Sequence, residues 1–265
     1  MIKKKYNQCY DVSEKNKTYL QTSIKRSKGI FPEMEVAKAH MKILKKYIKK
    51  DDAILDAGCL TGHFYRSFLR EFKNHNLKYT GIDPWALHIN EAKKIWSKDK
   101  NVNFKKGWVQ KLPFKNNSFD ISICSNVLTH IPSIEDPIKE LLRVTRKIIL
   151  IRTPIHKISY RIQMVFNSKW FKFTNVHPKD EFDKKGNPRA FEYFDVHSKD
   201  YFESLVKKYE KRARIKFIKD NFYNKKNINL KIEKKQKILS TRVNSEGDQV
   251  ADLLIIPNHF VLIKK

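Results

Sequence analysis

The chain has 265 residues, of which 40% are hydrophobic, and its formal net charge is +28. This length fits one large domain or one domain with an insertion, and the apolar fraction can fill a core, which excludes a wholly disordered chain. No run of about 18 apolar residues occurs, and Met1 to Tyr10 is basic without an apolar segment behind it, so we expect neither a transmembrane helix nor a secretory signal.

Helical and strand-like patterns alternate along the first half of the chain. Asp136 and Pro137 predict the start of a helix, with Asp136 as its N-cap and Pro137 in its first position. This alternation indicates right-handed crossovers and an α/β fold, a doubly wound, mostly parallel, Rossmann-like sheet covered on both faces. The other predicted helices are 33–49, 63–73 and 85–97, and the predicted strands are 53–56, 78–83, 102–105, 119–124 and 147–151.

The last third of the sequence is less regular. We predict a helix over 199–209 with Ser198 as its N-cap, and strands over 215–218 and 259–263. Residues 155–197 combine an aromatic-rich stretch with polar loop signals, and they are interpreted as an insertion or lid over the mouth of the sheet. The predicted organisation is N-terminal helices and a cofactor-binding core over 1–154, this lid over 155–197, and completion of a seven-stranded sheet by 198–265.

Two glycines follow the first predicted strand, and an acid ends the second. In open α/β sheets ligands bind beyond the carboxyl ends of the strands, where glycines let the backbone approach a ligand and an acid can bind a ribose. Gly58 and Gly62 are spaced G-x-x-x-G rather than in the dinucleotide pattern G-x-G-x-x-G. Asp56 would also repel a pyrophosphate and attract a cation. The pattern therefore favours S-adenosylmethionine, which carries an ammonium and a sulfonium and no phosphate, over NAD.

Three motifs in order carry a resemblance to a known family. Ile54-Leu-Asp-Ala-Gly-Cys-Leu-Thr-Gly-His-Phe64 resembles the glycine-rich first motif of the class I S-adenosylmethionine-dependent methyltransferases, and Gly81-Ile-Asp-Pro84 resembles the second. The stretch from Leu112 to His130, with L-P-F, S-F-D and N-V-L-T-H, is similar to the small-substrate branch of that family. The resemblance covers roughly residues 36–152 and implies a methyltransferase with S-adenosylmethionine as cofactor.

The resemblance assigns a cofactor site. Asp56, Gly58 and Gly62 would line the methionine end of the cofactor, Asp83 would bind the ribose hydroxyls, and Asn126 would border the reaction site. Cys59 and Pro84 are assigned to the same site, although for Cys59 simple packing is the favoured interpretation over a redox role. Two positions depart from the family pattern, because Leu60 replaces the middle glycine of the first motif and Trp108 replaces an aspartate that faces the adenine. We expect Trp108 to pack on the adenine face, with a core tryptophan as the alternative.

His130 is the candidate catalytic residue, because some relatives use a histidine just past the fourth strand to take a proton from an oxygen nucleophile. The alternative is a structural histidine that caps the turn before Pro132. No cluster with metal-ligand spacing is present, so no metal is expected. Three separated cysteines without a C-x-x-C pair predict a reducing, cytoplasmic location.

The acceptor is the least determined part of the prediction. A small molecule or glycan precursor is the leading interpretation, and an RNA methyltransferase or a catalytically inactive cofactor-binding module are the alternatives. The charge gives the RNA alternative its support, since 13 basic residues against three acidic ones lie between Lys207 and Lys237. However, only 11 of the 56 basic residues are arginines, which favours compositional bias over a nucleic-acid surface. The oligomeric state is left open.

Overall fold

A computed structural model describes residues 17–165, 184, 191–221, 242–243, 249–251, 254–256 and 258–265. Helices and strands alternate as the sequence predicts. The helices are α1 (Lys17–Ser27), α2 (Glu35–Leu44), α3 (His63–Glu71), α4 (Ala86–Ile95), α5 (Glu135–Val144) and α6 (Lys199–Tyr209). The strands are β1 (Ala53–Ala57), β2 (Lys78–Asp83), β3 (Val102–Lys106), β4 (Phe119–Ser125), β5 (Thr145–His156), β6 (Tyr160–Val165), β7 (Phe191–Ser198), β8 (Arg214–Lys219), β9 (Arg242–Val243), β10 (Gln249–Ala251), β11 (Leu254–Ile256) and β12 (Asn258–Lys264).

The central sheet has the strand order β3-β2-β1-β4-β5-β12-β8. Its first five strands are mutually parallel, and β12 runs antiparallel to both of its neighbours. The predicted fold class, a doubly wound and mostly parallel sheet, is confirmed. The sheet gains two strands beyond the predicted seven, because β6 and β7 form an antiparallel pair that joins the far end of β5.

The two faces of the sheet bury separate hydrophobic clusters, since successive side chains of a strand point to opposite faces. Ile54 and Tyr79 belong to the cluster that packs under α2 and α3. Leu55 and Ile82 belong to the cluster that packs under α5 and α6. Each fully buried large apolar side chain contributes about 1.5–3 kcal/mol relative to exposure, so these clusters hold the strand ends in a fixed arrangement.

Two boundaries differ from the sequence prediction. The helix predicted to start with Asp136 as its N-cap begins two residues earlier, with Ile134 as the N-cap residue, whose side chain makes no capping hydrogen bond. Asp136 and Pro137 therefore lie inside the first turn, where backbone N–H groups lack helical partners and proline is tolerated. Strand β5 extends well past the predicted 147–151, because its two ends pair with β4 and β7.

The C-terminal part confirms the predicted N-cap of the helix at Ser198. Of the proposed lid, the structure describes the two ends, 155–165 and 191–197, and residue 184 between them. The Ser198 hydroxyl accepts a hydrogen bond from the Tyr201 amide at 3.2 Å, which starts α6. Strand β7 pairs with the carboxyl end of β5, where Ile155 lies opposite His197. The aromatic stretch from Phe166 to Phe173 falls outside the described residues. In the described part of the chain, no helix has the length and apolarity needed to cross a membrane.

Candidate functional site

The turn between β1 and α3 brings the glycine-rich motif to the carboxyl edge of the sheet. Gly58, Leu60 and Gly62 all have positive φ angles, of 93°, 50° and 81°. The Gly58 amide donates to the Ile82 carbonyl at 2.8 Å, so the turn is tied to the end of β2. Leu60 thus adopts the left-handed conformation in which glycine is usually found, at an energetic cost of roughly 1–2 kcal/mol. Although Leu60 departs from the family pattern, it keeps a positive φ angle, as the glycines on either side of it do.

Both glycines of the turn are also required for space. A Cβ atom on Gly58 would overlap the side chain of Val127, which follows β4. On Gly62 a Cβ would lie 2.6 Å from Cζ of Phe104. The turn is therefore packed between Phe104 of β3 and Val127 after β4, and neither glycine position has room for a side chain.

Asp83 organises this turn. Its Oδ2 accepts a hydrogen bond from the Leu60 amide and its Oδ1 accepts one from the Trp85 amide, both at 3.0 Å. The side chain is only 2% exposed. Because Asp56 lies opposite Gly81 in the parallel β1–β2 ladder, Asp56 and Asp83 end adjacent strands at the same edge, as predicted.

Asp56 is a buried carboxylate with one unused oxygen. The Tyr79 hydroxyl donates to its Oδ2, while Oδ1 is shielded from solvent and has no hydrogen-bond partner in the described structure. Burial raises the pKa of Asp56 to about 7, and the negative charge of Asp83 acts in the same direction, whereas the Tyr79 hydrogen bond opposes it. Such a group favours a cation placed beside it, because the cation would offset the cost of burying the charge.

Three further predicted site residues surround this edge. Cys59 is fully buried, and a Cβ on Gly81 would lie 2.7 Å from its Sγ, so the thiol packs beneath the second motif. Burial raises its pKa well above the usual range, which disfavours a reactive thiolate. Pro84 and Trp108 are half-buried, and the residue before Trp108, Gly107, donates its amide to the Asp83 carbonyl at 3.0 Å.

Asn126 follows β4 in a left-handed conformation, with a φ angle of 58°. Its amide donates to the Arg152 carbonyl at 3.0 Å, and its Oδ1 accepts a hydrogen bond from the Arg152 guanidinium. Arg152 is in turn paired with Asp220, with Nη2 and Oδ2 2.6 Å apart, and both side chains are about 95% buried. Sequence reasoning missed this pair, although a lone arginine at the end of the apolar run Ile-Ile-Leu-Ile of β5 was the available signal.

His130 ends a 3-10 turn that spans Leu128–His130, directly after β4. Its Nδ1 lies 3.1 Å from the Tyr193 carbonyl oxygen, and its ring stands edge-on to Phe194. Because a carbonyl only accepts hydrogen bonds, Nδ1 carries the proton and Nε2 is the basic nitrogen. The structure therefore links the His130 ring to β7.

Helix α1 lies against the glycine-rich turn, which the sequence did not reveal. The hydroxyls of Ser23 and Ser27 each lie 2.7 Å from Thr61 Oγ1, and Ser27 also donates to the Thr61 carbonyl at 3.0 Å. Both serines are buried. The two hydroxyls four residues apart fall on one face of the helix, which was the only signal available.

Residues 55–148 match a family described as a methyltransferase domain. The chain contains a class I S-adenosylmethionine-dependent methyltransferase domain. An uncharacterized methyltransferase of Schizosaccharomyces pombe is 32% identical over 109 residues, which are 38% of each protein. A ubiquinone/menaquinone biosynthesis C-methyltransferase of Campylobacter jejuni is 31% identical over 113 residues, which are 42% of this chain and 47% of that protein. These matches span about half or less of the relatives' lengths.

Solved structures show the same fold as this methyltransferase domain. A SAM-dependent methyltransferase from Methanosarcina mazei superposes with a TM-score of 0.52 and 16% identity, over 84% of this chain and 96% of that one. A methyltransferase solved in complex with the Haloferax volcanii Trm112 methyltransferase activator gives a TM-score of 0.55 and 12% identity, over 91% and 93% of the two chains.

The residues of the methyltransferase domain fit S-adenosylmethionine, the cofactor of the family. The unpartnered Oδ1 of Asp56 suits an ammonium group. No phosphate-binding arginine or lysine is part of this turn, which suits a ligand without phosphates. Within the described residues no cluster of histidine, cysteine or acidic side chains could hold a metal ion.

Proposed function

We propose that this protein transfers the methyl group of S-adenosylmethionine to a small molecule or a glycan precursor. The observation that carries the proposal is the placement of Asp56 and Asp83 at the ends of adjacent parallel strands, with the glycine-rich turn following the first of these strands. In such sheets this edge is where ligands bind. The buried, unpartnered oxygen of Asp56 supports a cationic ligand rather than a pyrophosphate.

Each side chain has a distinct part in holding the cofactor. Oδ1 of Asp56 would accept from the ammonium, and the backbone of Gly58 and Gly62 would border the methionine end. Asp83 would accept from the ribose hydroxyls in addition to its two backbone donors, because each carboxylate oxygen can accept more than one hydrogen bond. Trp108 would pack on the adenine face. Cys59 would pack beneath the second motif, and Pro84 directly follows Asp83 in that motif.

Bound S-adenosylmethionine supplies a methyl group that its sulfonium has already activated for displacement. The protein's contribution is then mainly alignment, which supplies about 7–11 kcal/mol in well-oriented systems. Asn126, held by Arg152, would border the reacting atoms. His130 would accept the proton of an acceptor hydroxyl at Nε2, and the Tyr193 carbonyl would stabilise the resulting imidazolium through the Nδ1 proton. A base of this kind contributes about 10²–10⁴-fold.

Two observations support a small acceptor. The Campylobacter jejuni relative is named for ubiquinone/menaquinone biosynthesis, and a Gibberella zeae relative, 32% identical over 108 residues, is named a sterol 24-C-methyltransferase. Strand β7 brings the 155–197 segment to the carboxyl end of β5, where a lid over a small acceptor would stand. The organisation we propose keeps a core over 1–154, this lid, and a sheet completed by 198–265.

The deciding experiment measures transfer of labelled methyl from S-adenosylmethionine to separate pools of metabolites, glycan precursors, tRNA and rRNA. We expect label in a small-molecule or glycan pool with the wild-type protein and, at a cofactor concentration near the wild-type Kd, much less label with Asp83→Ala. Methylation of a purified RNA at one defined position would overturn the acceptor class. Cofactor binding without transfer to any pool would instead favour the inactive-module alternative.

A further inference from the structure

A cavity of about 200 Å³ lies between α1, α2 and α3, beside the glycine-rich turn. We call it the arginine cavity, because Arg26, Arg66 and Arg70 line it together. Its wall begins immediately after the turn, since His63 follows Gly62 and also lines the cavity. None of the arginines has a part in the proposed methyl transfer, so their convergence requires a separate explanation.

Among the described residues that line the arginine cavity, three guanidiniums face one carboxylate, that of Glu33. Glu33 forms an ion pair with Arg70. In the part of the chain that the structure describes, no carboxylate lies within ion-pair distance of Arg26 or Arg66. Burial lowers the pKa of Arg26, because this guanidinium is partly removed from water. An anionic ligand would supply a compensating charge.

Buried polar atoms at the same place also lack partners. Ser67 is 2% exposed, and its hydroxyl makes no hydrogen bond to any described residue. Nδ1 of His63 is likewise shielded from solvent and unpartnered. Burial and the charge of Arg26 lower the pKa of His63 to about 3, so its ring is neutral near pH 7. Buried polar groups of this kind are normally satisfied, and both of these residues line the arginine cavity.

The Arg66 guanidinium packs against the backbone of Gly29 in the turn after α1. It lies directly over Gly29, where a Cβ atom would overlap three guanidinium atoms. Gly29 has a φ of 73°, a conformation that other residues rarely adopt. The turn after α1 thus leaves room for this guanidinium at the cavity wall. Apolar side chains, including Phe31 and Met34, line the cavity as well.

We propose that the arginine cavity binds a small molecule with an anionic head group, phosphate or carboxylate, and an apolar body. The guanidiniums of Arg26 and Arg66, with the Ser67 hydroxyl, would bind the head group through charge-assisted hydrogen bonds. Phe31 and Met34 would pack against the apolar body. This site is additional to the cofactor site and does not depend on the proposed methyl transfer.

Phenyl phosphate and benzoate are suitable probes, with benzyl alcohol as the uncharged control. Binding is measured by calorimetry at constant ionic strength, with S-adenosylhomocysteine present at a saturating concentration so that the cofactor site is filled. We expect saturable binding of at least one anionic probe and none of benzyl alcohol. The better of the two anions identifies the head group.

Variants distinguish binding in the arginine cavity from nonspecific electrostatic attraction of an anion to a basic protein. Arg66→Gln and Ser67→Ala should each weaken binding about tenfold or more, whereas Arg212→Gln, an equal charge change at an exposed residue, should not. Without ligand, Ser67→Ala should not lower the melting temperature, because the hydroxyl has no partner to lose. The proposal is overturned if no anionic probe binds saturably, if Arg212→Gln weakens binding as much as Arg66→Gln, or if S-adenosylhomocysteine abolishes binding.

Discussion

The Tyr79 hydroxyl, on β2, donates a hydrogen bond to Oδ2 of Asp56, on the neighbouring strand β1. This contact fixes one carboxylate oxygen and leaves Oδ1 directed at no protein donor among the described residues. Asp56 is therefore oriented before any ligand arrives. A preorganised carboxylate binds a cation with little reorganisation, which is what a cofactor site at this edge requires.

The first prediction concerns pH. Folding raises the pKa of Asp56 from 3.8 to about 7, so its protonated form favours the folded state at low pH and this contribution is lost as the pH rises through 7. The shift corresponds to roughly 4 kcal/mol for the ionised group. A bound cation offsets that cost, so the ligand favours the ionised form of Asp56 and binding releases a proton. As the pH rises toward 7, affinity for S-adenosylhomocysteine should therefore increase by up to about tenfold per pH unit.

Calorimetry in two buffers of different ionisation enthalpy measures both the affinity and the released proton. Asp56→Asn provides the control, because it removes the titration and should bind more weakly with little dependence on pH. A wild-type affinity that stays constant between pH 5 and pH 7 would show that Asp56 does not meet the ammonium.

The second prediction concerns Asp83. Loss of a charged acceptor costs about 1.5–3 kcal/mol, so Asp83→Ala should raise the Kd for S-adenosylhomocysteine roughly 10- to 150-fold. Asp83→Asn should lie between, because its amide oxygen can still accept from Leu60. Asp136→Ala, which removes an exposed carboxylate from α5, should leave the Kd unchanged. Equal affinity in the wild type and in Asp83→Ala would place the ribose elsewhere.

A third prediction tests the backbone at Leu60. With a φ of 50°, leucine carries a conformational cost that glycine does not, while glycine adds entropy to the unfolded chain. These terms nearly cancel, so Leu60→Gly should change the free energy of unfolding by less than about 1 kcal/mol. Leu69→Gly, at an exposed helical position of α3, should lose about 1 kcal/mol. Denaturant unfolding measures both variants, and an equal loss in the two would contradict the conformational cost assigned to Leu60.

The sequence predicted the placement of the two acids better than it predicted the contacts around them. Asp56 and Asp83 could be placed together because consecutive parallel strands with a helical crossover leave little choice of topology. The Ser198 cap was equally predictable, since its partner is three residues away. The Asp136 cap was wrong, because α5 starts two residues earlier, after Ile134.

Contacts between distant segments were beyond sequence reasoning. The Arg152–Asp220 pair joins β5 to the end of β8, and the Ser27–Thr61 contact joins α1 to the glycine-rich turn. Nothing local in either segment specifies its partner. The arginine cavity is a similar case, because Arg26 and Arg66 come together only when α1 packs on α3.

The fourth prediction uses the Arg152–Asp220 pair. Removing one partner of a buried pair leaves an uncompensated charge, so Asp220→Asn should destabilise the fold by about 3–5 kcal/mol. The double variant Arg152→Met with Asp220→Leu should recover most of that loss, since neither charge remains. Thermal and urea unfolding measure both. If the single and double variants are equally unstable, the pair acts through packing and not through its charges.

A fifth prediction concerns His130. If Nε2 is the base, His130→Ala should lower kcat by about 10²-fold or more, with the Kd for S-adenosylhomocysteine nearly unchanged. His156→Ala, at an exposed histidine, is the matched control. A loss of stability with normal turnover in the folded fraction would make His130 a structural residue that only anchors β7.

The position of strand β12 in the sheet bears on the order in which the strands pair during folding. It pairs on one side with β5, where Val261 meets Ile151 from far along the chain, and on the other with β8. Phe260 supplies one core cluster and Val261 the other, so neither can close before this strand is inserted. The motif-bearing strands need only short-range crossovers, whereas β12 must close a long loop. We therefore expect β12 to pair later in folding than the strands that carry the motifs, because it closes the longer loop.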